Sequence, residues 1–411
     1  MTKDSKIINR CQISGKKDLK KIISLGFLPP VNKLQKINKT PTEAKFFPAE
    51  LVYSKSSKLV QLNTLVDKKI LFPKEYPYTS STTKILRENF KNLYKESTKL
   101  INISSKDLVI DIGSNDGNLL SNFKKNHRVL GVTPENIGKI AIKKGIKTLI
   151  KYFDKKTSSY ILKKFGKAKL ITATNVFAHI ENVNDLMKNI LNVLDKDGAF
   201  VTESHYLVTL IKKLQYDTIY HEHLRYYSLL SLKYLFEKYN LTIFHATKIP
   251  THGGSIRVYV SRKGKFKVLN SVKKIITEEN NFLNWKNFNK FSTDVTNSKL
   301  GLYSLLNNII KSGHKIYGIG APSRASTLVN FLGLNRKIIN CVCEIEGSYK
   351  IGNYMPGTNI PIVSEKNLYK EKPKFVILFS WHIAKELIAN LKKRGFKGKY
   401  IIPLPKPKII S

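Results

Sequence analysis

The chain has 411 residues, of which 42% are hydrophobic, and this is enough to form two or three hydrophobic cores of ordinary size. Because it contains no run of about 18 apolar residues, we expect no membrane-spanning helix, and the polar start "MTKDSKIINR" does not resemble a secretion signal. Only three cysteines are present, Cys11, Cys341 and Cys343, which is too few for a disulfide framework and favours the cytoplasm.

The formal net charge of +43 raises the question of a nucleic-acid-binding protein. Specific recognition of bases or phosphates is usually rich in arginine, whose planar guanidinium forms two parallel hydrogen bonds. Here only nine of the 72 basic residues are arginine, and the lysines are spread along the chain together with many isoleucines and asparagines. This pattern is typical of a coding bias toward A and T, so we expect no specific nucleic acid. Such a surface should still attract polyanions at low salt, and it favours anionic substrates.

Residues 1–74 form the first predicted unit, a small N-terminal lobe. Proline-marked loops such as "GFLPPVN" and "KTPTEAKFFP" make it irregular, with "LVQLN" (59–63) as a short strand. Apolar stretches such as "ISLGFLP" and "AELVY" are expected to hold this lobe together.

Residues 75–262 form the second unit, in which apolar strands alternate with helices. The predicted strands are "DLVIDIG" (107–113), "RVLGV" (128–132), "AKLITATNV" (168–176) and "GAFVTES" (198–204). The helix in "VNDLMKNILNVLDKDG" is expected to end with Gly198 as its C-cap. Strands and helices in this order predict a doubly wound α/β sheet.

Residues 263–308 are charged and helical and are predicted to be a connector, and residues 309–411 a second α/β domain. That domain begins with "HKIYGIGAPSRASTLVNFLG" (314–333) and continues with the strands "INCVCE" (339–344) and "KFVILFS" (374–380). Because Ser323 stands at the third glycine position of the G-x-G-x-x-G pattern, we favour a Rossmann-like structural turn over a phosphate-binding loop.

The stretch "VIDIGSNDGNLLSNF" (109–123) combines a strand, a tight turn and a helix. Gly113 and Gly117 allow the backbone to approach a ligand closely, and Asn115 tolerates positive φ. Asp111 and Asp116 are unsuited to a pyrophosphate, which binds bare backbone amides. They suit the amine, sulfonium and hydroxyl groups of S-adenosylmethionine, and a purely structural turn is the alternative.

The strand that follows this loop should end in an acidic residue that binds both ribose hydroxyls of such a cofactor. It reads "VLGVTPEN", with Thr133 at that place and Glu135 two residues later. A threonine hydroxyl can bond one ribose hydroxyl but carries no charge. Either the cofactor is bound more weakly, or Glu135 replaces the missing acid.

Together these segments resemble the S-adenosylmethionine-dependent C-methyltransferases that act on nucleotide-linked deoxysugars. The resemblance covers nearly the whole chain, in the right order. The matching motifs are "EYPYTSSTT" (75–83), "DIGSNDG" (111–117), "NVFAHIENVNDL" (175–186), "YDTIYHEHLRYYSL" (216–229), "PTHGGSIRVYV" (250–260), "GIGAPSRASTLVN" (318–330), "GNYMPGTNIPI" (352–362) and "FSWHIAKEL" (379–387). The resemblance implies a zinc-binding N-terminal lobe, a class I methyltransferase core and a C-terminal Rossmann-like lobe, with the sugar in the cleft between the lobes.

The motifs and the resemblance give a set of candidate site residues. The expected cofactor contacts are Asp111, Gly113, Asn115, Asp116, Gly117 and Thr133, with Phe153 near the adenine and Asn175 and His179 at the methionine end. The expected substrate contacts are Ser80, His252, Gly253, Arg257 and Arg324. The expected catalytic group is His223, with Tyr220, Glu222, His221 and one of Tyr76 and Tyr78. For Arg257, a structural pair with an acid is an equal alternative to a contact with a phosphate or carboxylate.

The stretch "TIYHEHLRYYS" (218–228) allows three interpretations. Methylation of a carbon next to a ketone needs a base of near-neutral pKa, which fits His223, with Tyr220 or Glu222 as orienter or hydrogen-bond donor and His221 in support. A metal site would use His221 and His223 on one face of an extended segment, but no H-E-x-x-H spacing occurs. A polar turn without chemical function is the third interpretation.

The small lobe departs from the family in one respect. The family holds zinc there with two C-x-x-C pairs, but the matching stretches "CQIS" and "YSKSSK" contain Cys11, Ser14, Ser54 and Ser57. Serine hydroxyls are poor zinc ligands at neutral pH and one thiolate cannot hold the ion. We therefore expect no structural zinc and no other metal.

The sequence thus predicts a cytoplasmic methyltransferase that acts on a nucleotide-linked keto-deoxysugar, as a monomer or weak homo-oligomer, without a membrane partner. Two alternatives stay open. The charge suggests a methyltransferase acting on RNA or another polyanion. The lost zinc ligands and Thr133 suggest a non-catalytic paralogue.

Overall fold

A computed structural model describes residues 4–39, 43–72, 81 and 83–411. Short strands build the small N-terminal lobe. Its elements are β1 (Ser5–Ile7), β2 (Leu19–Leu28), β3 (Gln35–Lys36), β4 (Phe47–Ser54), β5 (Val60–Leu62), β6 (Thr64–Val66) and α1 (Lys68–Leu71). Strand β4 pairs antiparallel with β2 and β5, and β1 pairs with β6. The predicted strand at 59–63 is present, but the lobe is less irregular than predicted. Strand β2 was missed because exposed lysines interrupt its buried positions.

The middle domain contains the predicted doubly wound sheet. Its elements are α2 (Lys84–Leu100), β7 (Leu108–Ile112), α3 (Leu120–Phe123), β8 (Arg128–Thr133), α4 (Gly138–Lys143), β9 (Thr148–Ile150), α5 (Lys155–Phe165), β10 (Ala168–Thr174), α6 (Val183–Val193), β11 (Leu194–His205), α7 (Leu207–Lys212), a 3-10 turn (Tyr216–Thr218), β12 (Arg225–Tyr226), α8 (Leu229–Glu237), β13 (Leu241–Ile249), a 3-10 turn (Thr251–Gly253) and β14 (Ser255–Arg262).

Seven of these strands form one sheet in the order β13-β14-β11-β10-β7-β8-β9. Strands β7 to β11 run parallel, and β14 and β13 are antiparallel to their neighbours. All five residues of β7 are buried, as expected for a central strand that helices cover on both faces. The predicted fold class, a class I methyltransferase sheet, is confirmed.

The position of Gly198 corrects one prediction. Helix α6 ends at Val193, and Gly198 lies inside β11 rather than at a helix C-cap. A Cβ atom on Gly198 would lie 2.9 Å from the carbonyl oxygens of both Ala168 and Lys169. The glycine is therefore required because β10 approaches closely at an irregularity of the pairing.

The connector and the C-terminal lobe follow. The connector consists of α9 (Asn270–Phe282) and α10 (Trp285–Lys311). The lobe contains β15 (Ile316–Ile319), α11 (Ser323–Leu332), β16 (Val342–Glu344), β17 (Asn353–Tyr354), β18 (Ile362–Ser364), α12 (Lys366–Glu371), β19 (Phe375–Leu378), a 3-10 turn (Trp381–Ile383), α13 (Ala384–Lys393), β20 (Lys399–Ile402) and β21 (Lys408–Ile410). Its sheet has the order β18-β16-β15-β19-β20-β21, and only β21 is antiparallel to its neighbour. This is the predicted Rossmann-like arrangement.

Two short strand pairs join the lobes. Strand β12 of the middle domain pairs with β5, so that a segment of the middle domain extends the sheet of the small lobe. Strand β17 of the C-terminal lobe pairs with β3 of the small lobe. Within the described parts of the chain, no helix combines the length and the apolar character that crossing a membrane requires.

Candidate active site

The predicted cofactor loop follows β7 at the carboxyl edge of the parallel strands. Gly113 (φ 76°), Asn115 (φ 51°) and Gly117 (φ 77°) all have left-handed backbone conformations. A Cβ atom on Gly113 would lie 2.2 Å from the Cγ2 atom of Val176, in the loop after β10. The tight approach of these two loops therefore depends on glycine, and the loop geometry suits a ligand bound against the backbone.

Two buried carboxylates lie at this loop. Asp111 accepts a 2.6 Å hydrogen bond from Thr172. Burial raises the pKa of Asp111 to about 7; the bond from Thr172 opposes the shift and the nearby Glu203 adds to it. Asp116 is bonded to the Lys144 ammonium at 3.1 Å. A carboxylate that is costly to ionise alone is stabilised by a cationic ligand, and the amine and sulfonium of S-adenosylmethionine meet this requirement.

The ribose contact is predicted at the end of β8. The Thr133 hydroxyl is buried and donates a hydrogen bond to the carboxylate of Glu135. The acid two residues beyond the strand is therefore held at the strand end, the place where a ribose-binding acid is expected. Phe153 lies just beyond β9, next in order at this edge of the sheet, and packs partly buried against the core.

The loop after β10 brings the cofactor side next to the predicted base. Asn175 has a left-handed backbone (φ 56°) and is anchored by its N–H to the Glu203 carbonyl. The His179 ring lies 4.9 Å from the His223 ring, centroid to centroid. The Tyr220 ring also contacts the His223 ring, with 4.2 Å between the ring centroids. Residues that were predicted for the cofactor and for catalysis thus meet at His223.

The hydrogen bond of His223 defines which ring nitrogen is available. Its Nδ1 atom lies 2.9 Å from the main-chain carbonyl oxygen of Thr218. Since a carbonyl oxygen only accepts hydrogen bonds, the neutral ring carries its proton on Nδ1, and Nε2 presents a lone pair. None of the described residues forms a hydrogen bond with Nε2. The orienting acceptor is therefore the Thr218 carbonyl, whereas the sequence had suggested Glu222 or Tyr220.

His221 and Glu222 face a different part of the structure. His221 Nε2 is bonded to the Pro48 carbonyl at 3.0 Å, and Glu222 accepts a 2.7 Å bond from Asn32. Both partners belong to the small lobe. Residues 221–222 form a turn rather than an extended segment, so His221 and His223 do not share one face. Among the described residues, no group of three or more His, Cys, Asp or Glu side chains is arranged to hold a metal.

A second group of histidines adjoins the first. His205, at the end of β11, is bonded through Nε2 to Gln215 at 2.6 Å. The Gln215 side chain donates in turn to the Gly253 carbonyl at 3.0 Å.

His252 has a left-handed backbone (φ 54°), and its buried Nε2 has no hydrogen-bond partner among the described residues. His382, from the C-terminal lobe, accepts a 2.8 Å bond from Arg324 on Nδ1.

Burial holds these imidazoles in the neutral form. Loss of solvation lowers the pKa of His179 and of His252 to about 4, and that of His205 to about 3. For His223 burial lowers the pKa well below its ordinary value of 6.5, and the neighbouring His179 adds to the shift. Burial and the Arg324 charge lower the pKa of His382 as well. At neutral pH the site therefore offers unprotonated histidines.

The two predicted substrate arginines are engaged within the protein. Arg257 donates to Glu203 at 2.6 Å and to Glu96 at 2.7 Å, in a pair that is buried within the middle domain. Arg324 is bonded to Asp217 and His382. Their substrate contacts stay predictions, and so do those of Tyr76, Tyr78 and Ser80, which lie outside the described residues.

Several residues of the site were missed by the sequence analysis. They are Asn32, Gln215, Asp217, Trp381 and His382. Asp217 and the last two lie in motifs that carry the family resemblance, "YDTIYHEHLRYYSL" and "FSWHIAKEL". Those motifs were the available signal, but nothing in them tells which residues of the two lobes meet.

The four positions that correspond to zinc ligands lie together in the small lobe, at Cys11, Ser14, Ser54 and Ser57. The Cys11 sulfur lies 3.1 Å from the Ser57 hydroxyl. The Ser54 hydroxyl instead donates to the Asp18 carboxylate at 2.8 Å, and the Ser56 N–H donates to the same carboxylate at 2.8 Å. Burial alone would raise the pKa of Asp18, but the bonds from Ser56 and Ser54 outweigh it and lower the pKa. One thiol and three hydroxyls do not fit a structural zinc ion.

Three protein families match successive parts of the chain. Residues 11–72 match a family described as "Putative zinc binding domain", residues 84–246 one described as "Methyltransferase domain", and residues 250–405 one described as "C-methyltransferase C-terminal domain". C-methyltransferase NovU of Streptomyces niveus is 29% identical over 412 residues, which cover 98% of this chain and 97% of NovU.

Solved structures share less with the chain. A magnesium protoporphyrin IX methyltransferase from Synechocystis PCC 6803, solved with bound SAM, has 12% identity and a TM-score of 0.32, over 43% of this chain and 78% of that one. An S-adenosylmethionine-dependent methyltransferase from Clostridium acetobutylicum ATCC 824 has 15% identity and a TM-score of 0.34, over 45% and 94% of the two chains.

The carboxylate of Glu135 gives a first testable prediction. If it binds the ribose, Glu135→Ala should weaken S-adenosylmethionine binding about tenfold, since a charge-assisted hydrogen bond contributes about 1.5 kcal/mol. Isothermal titration calorimetry measures this directly. Glu346→Ala, at an exposed ion pair of the C-terminal lobe, is the matched control. An unchanged dissociation constant in Glu135→Ala would remove this role.

The neutral histidines give a second prediction, which concerns stability. Their folded pKa values lie below the unfolded value, so the unfolded chain binds more protons once the pH falls below about 6.5. The free energy of unfolding should therefore decrease on acidification, by up to about 1.4 kcal/mol per pH unit for each such histidine. Urea unfolding at several pH values between 7.5 and 5 measures this slope. His382→Gln should reduce it, and an identical slope in the variant would contradict the assignment.

Proposed function

We propose that this chain, an S-adenosylmethionine-dependent C-methyltransferase, methylates the carbon next to the ketone of a nucleotide-linked keto-deoxysugar. The observation that carries the proposal is the state of His223. Its Nδ1–H is bound to the Thr218 carbonyl, its Nε2 lone pair is free of bonds to the described residues, and its pKa is held below the ordinary value. A neutral imidazole in this arrangement is ready to accept a proton.

In the proposed reaction His223 Nε2 removes a proton from the carbon adjacent to the ketone. The electron pair of the broken C–H bond forms the enolate, and the enolate carbon then forms the new C–C bond to the methyl group. Bound S-adenosylmethionine supplies that methyl group as an electrophile, with the sulfur keeping the electron pair of the broken C–S bond. The proton stays on His223 until it passes to solvent, so atoms and charges balance.

One side chain beside His223 is suited to the oxyanion of the enolate. Tyr220 lies against the base with its ring at 4.2 Å and can donate from its hydroxyl. His179 lies 4.9 Å away on the cofactor side and is neutral, but its one N–H is used in a bond to the main chain of Glu222, so we assign it to packing against the base. A cavity lined by Phe72, His179 and Glu222 opens beside them toward the small lobe.

On the cofactor side we assign the loop after β7 and the acids beside it. Gly113, Asn115 and Gly117 shape the backbone, and Asp111 supplies negative charge toward the amine and the sulfonium. We infer that the substrate is a small nucleotide sugar. We also propose that the reaction takes place in the cytoplasm, where the three free thiols of the chain stay reduced.

The test of this function uses His223→Asn. The Asn side chain can still donate to the Thr218 carbonyl but lacks the basic nitrogen, so turnover should fall by about 10²- to 10⁴-fold. S-adenosylmethionine binding should stay within about twofold, because no cofactor contact is removed. Labelled S-adenosylmethionine is incubated with a panel of nucleotide-linked 4-keto-deoxysugars, and solvent deuterium exchange into the accepted sugar is followed by NMR.

The control is His314→Asn, at the amino edge of the C-terminal sheet, ahead of β15. It should keep both the turnover and the exchange of the parent. Turnover of His223→Asn equal to that of the parent would contradict the base role. Methyl transfer to RNA but to no sugar of the panel would instead favour a polyanion as the substrate.

We also propose that the small lobe holds no zinc. The proposal rests on the polar contacts at the four ligand positions, where Asp18 accepts bonds from Ser54 and Ser56, and Cys11 contacts Ser57. These groups satisfy one another by hydrogen bonding, so no cation is needed to hold the two turns together.

The zinc proposal predicts that a chelator has no effect. The melting temperature should be the same with and without EDTA, and elemental analysis of protein purified without added metal should find far less than one zinc per chain. Replacing Ser14, Ser54 and Ser57 by cysteine together should create a zinc site and make the melting temperature sensitive to EDTA. Stoichiometric zinc in the unaltered protein would overturn the proposal.

A further inference from the structure

Asp217 is a buried carboxylate that the C-terminal lobe holds from two sides. It lies in the 3-10 turn that begins the catalytic segment (residues 216–226), and its side chain is 1% exposed. Arg324 donates to both of its oxygens, from Nε at 2.8 Å and from Nη2 at 2.8 Å. Trp381 adds a third bond from Nε1 at 2.7 Å. Both donors belong to the C-terminal lobe, and the acceptor belongs to the middle domain.

The Arg324 side chain is itself fixed in this position. Its third nitrogen, Nη1, donates to His382 at 2.8 Å, and its guanidinium lies 4.9 Å from the centre of the Trp381 ring. A bidentate pair of this kind is directional, and it is costly to break when buried because one charge would be left unpaired. These bonds therefore fix Asp217 relative to α11 and to the 3-10 turn that follows β19.

One residue, Thr218, connects the bonds at Asp217 to the proposed base, His223. Thr218 follows Asp217, and its carbonyl oxygen accepts the Nδ1–H of His223 at 2.9 Å and the hydroxyl of Tyr226 at 3.2 Å. The C-terminal lobe also contacts the residues on either side of this carbonyl. Tyr216 packs edge-on against Phe331 at 5.3 Å, and Thr327 donates to the Ile219 carbonyl at 3.4 Å.

We propose that Asp217, held by Arg324 and Trp381, is the positioning residue of the base. By fixing the Thr218 carbonyl, it holds His223 in the tautomer that keeps Nε2 unprotonated. The C-terminal lobe thereby takes part in catalysis through the segment, since the hydrogen bond of His223 is made to Thr218 and not to any of these three side chains. This inference rests on the proposed function for its catalytic consequence, whereas the tautomer of His223 is a property of the protein without substrate.

If Asp217 did not position the base, another group would have to set the tautomer of His223. A histidine ring takes its tautomer from the group that bonds one of its nitrogens, and Thr218 provides the bond that the described residues make to His223. If the carbonyl moves, the proton is free to move to Nε2, and the base is then blocked. A shift of about 1 Å in such a group is enough to lower turnover markedly.

The experiment compares four variants of the full-length protein. Asp217→Asn removes the charge but keeps the size, and Arg324→Lys keeps the charge but loses the bidentate geometry. Trp381→Phe removes only one hydrogen bond and is the mildest change. Arg394→Gln, which removes an arginine–carboxylate pair with Glu365 elsewhere in the same lobe, is the matched control.

Two readouts are measured for each variant. The first is kcat and KM on the sugar that the parent accepts, together with the dissociation constant of S-adenosylmethionine. The second is the tautomer of His223, from long-range 15N–1H correlation spectra of protein labelled at histidine, with the His223 signals identified by their loss in His223→Asn. The second readout requires neither substrate nor turnover.

We expect Asp217→Asn and Arg324→Lys to lower kcat tenfold or more, with S-adenosylmethionine binding within twofold of the parent. Trp381→Phe should lower kcat about threefold to tenfold. In each of the three, His223 should lose its preference for the Nδ1–H form in the same order as kcat falls. Arg394→Gln should match the parent in both readouts.

The proposal is overturned if His223 keeps the Nδ1–H form in all three variants, whatever happens to kcat. It is also overturned if the tautomer changes while kcat does not. Should Asp217→Asn fail to fold, Trp381→Phe decides by the same two readouts. If the parent methylates no sugar of the panel, the proposed function fails, but the tautomer spectra still decide whether Asp217 positions His223.

Discussion

The candidate active site depends on one constraint, the fixed conformation of the catalytic segment (residues 216–226). That segment contains little regular structure of its own, only a 3-10 turn and the two-residue strand β12. Its conformation is therefore set by neighbours. The C-terminal lobe binds it at Asp217, the small lobe binds it at His221, and β12 pairs with β5. His223, the proposed base, lies between these attachment points, so its position depends on contacts from all three lobes.

The same contacts explain how a strongly basic chain keeps an uncharged base. Burial makes protonation of His223 unfavourable, and the nearby histidines share this environment. The Arg324 guanidinium acts in the same direction, because a nearby positive charge makes protonation of His205, His252 and His382 less favourable. Both oxygens of Asp217 are bonded to this guanidinium, so the arginine is held beside the histidines without being an unpaired buried charge.

The parts of the structure that sequence predicted are those that rest on local patterns. Strands β7, β8 and β10 are apolar runs bounded by turn residues, and the cofactor loop has glycines where φ is positive. Strand β12 was missed because two residues carry no periodicity. Gly198 was misassigned because a glycine after a helix signals a C-cap locally, whereas its real constraint is the approach of β10.

The same limit applies to the candidate site. His223 was predicted because its segment resembles that of the family and because a histidine suits a base of near-neutral pKa. The acceptor that orients it is a backbone carbonyl, which no side-chain pattern shows. Asp217, Trp381 and His382 come together only when the lobes dock, across 164 residues of sequence in the case of the bond from Trp381 to Asp217. Such contacts are determined by tertiary packing. The motifs identify the segments that contain these residues, but they do not show which segments contact one another.

The small lobe shows what the loss of metal ligands implies for the assembly. A structural zinc contributes on the order of 10 kcal/mol to the folding of a small domain, whereas each hydrogen bond contributes about 1 kcal/mol net. The few bonds around Asp18 cannot replace the ion by themselves. The remaining stability must come from packing, and buried residues such as Ile13, Leu51 and Leu62 belong to the same apolar core as the middle domain. A lobe stabilised in this way depends on its contacts with the middle domain, and these contacts include the segment that carries His223, the proposed base.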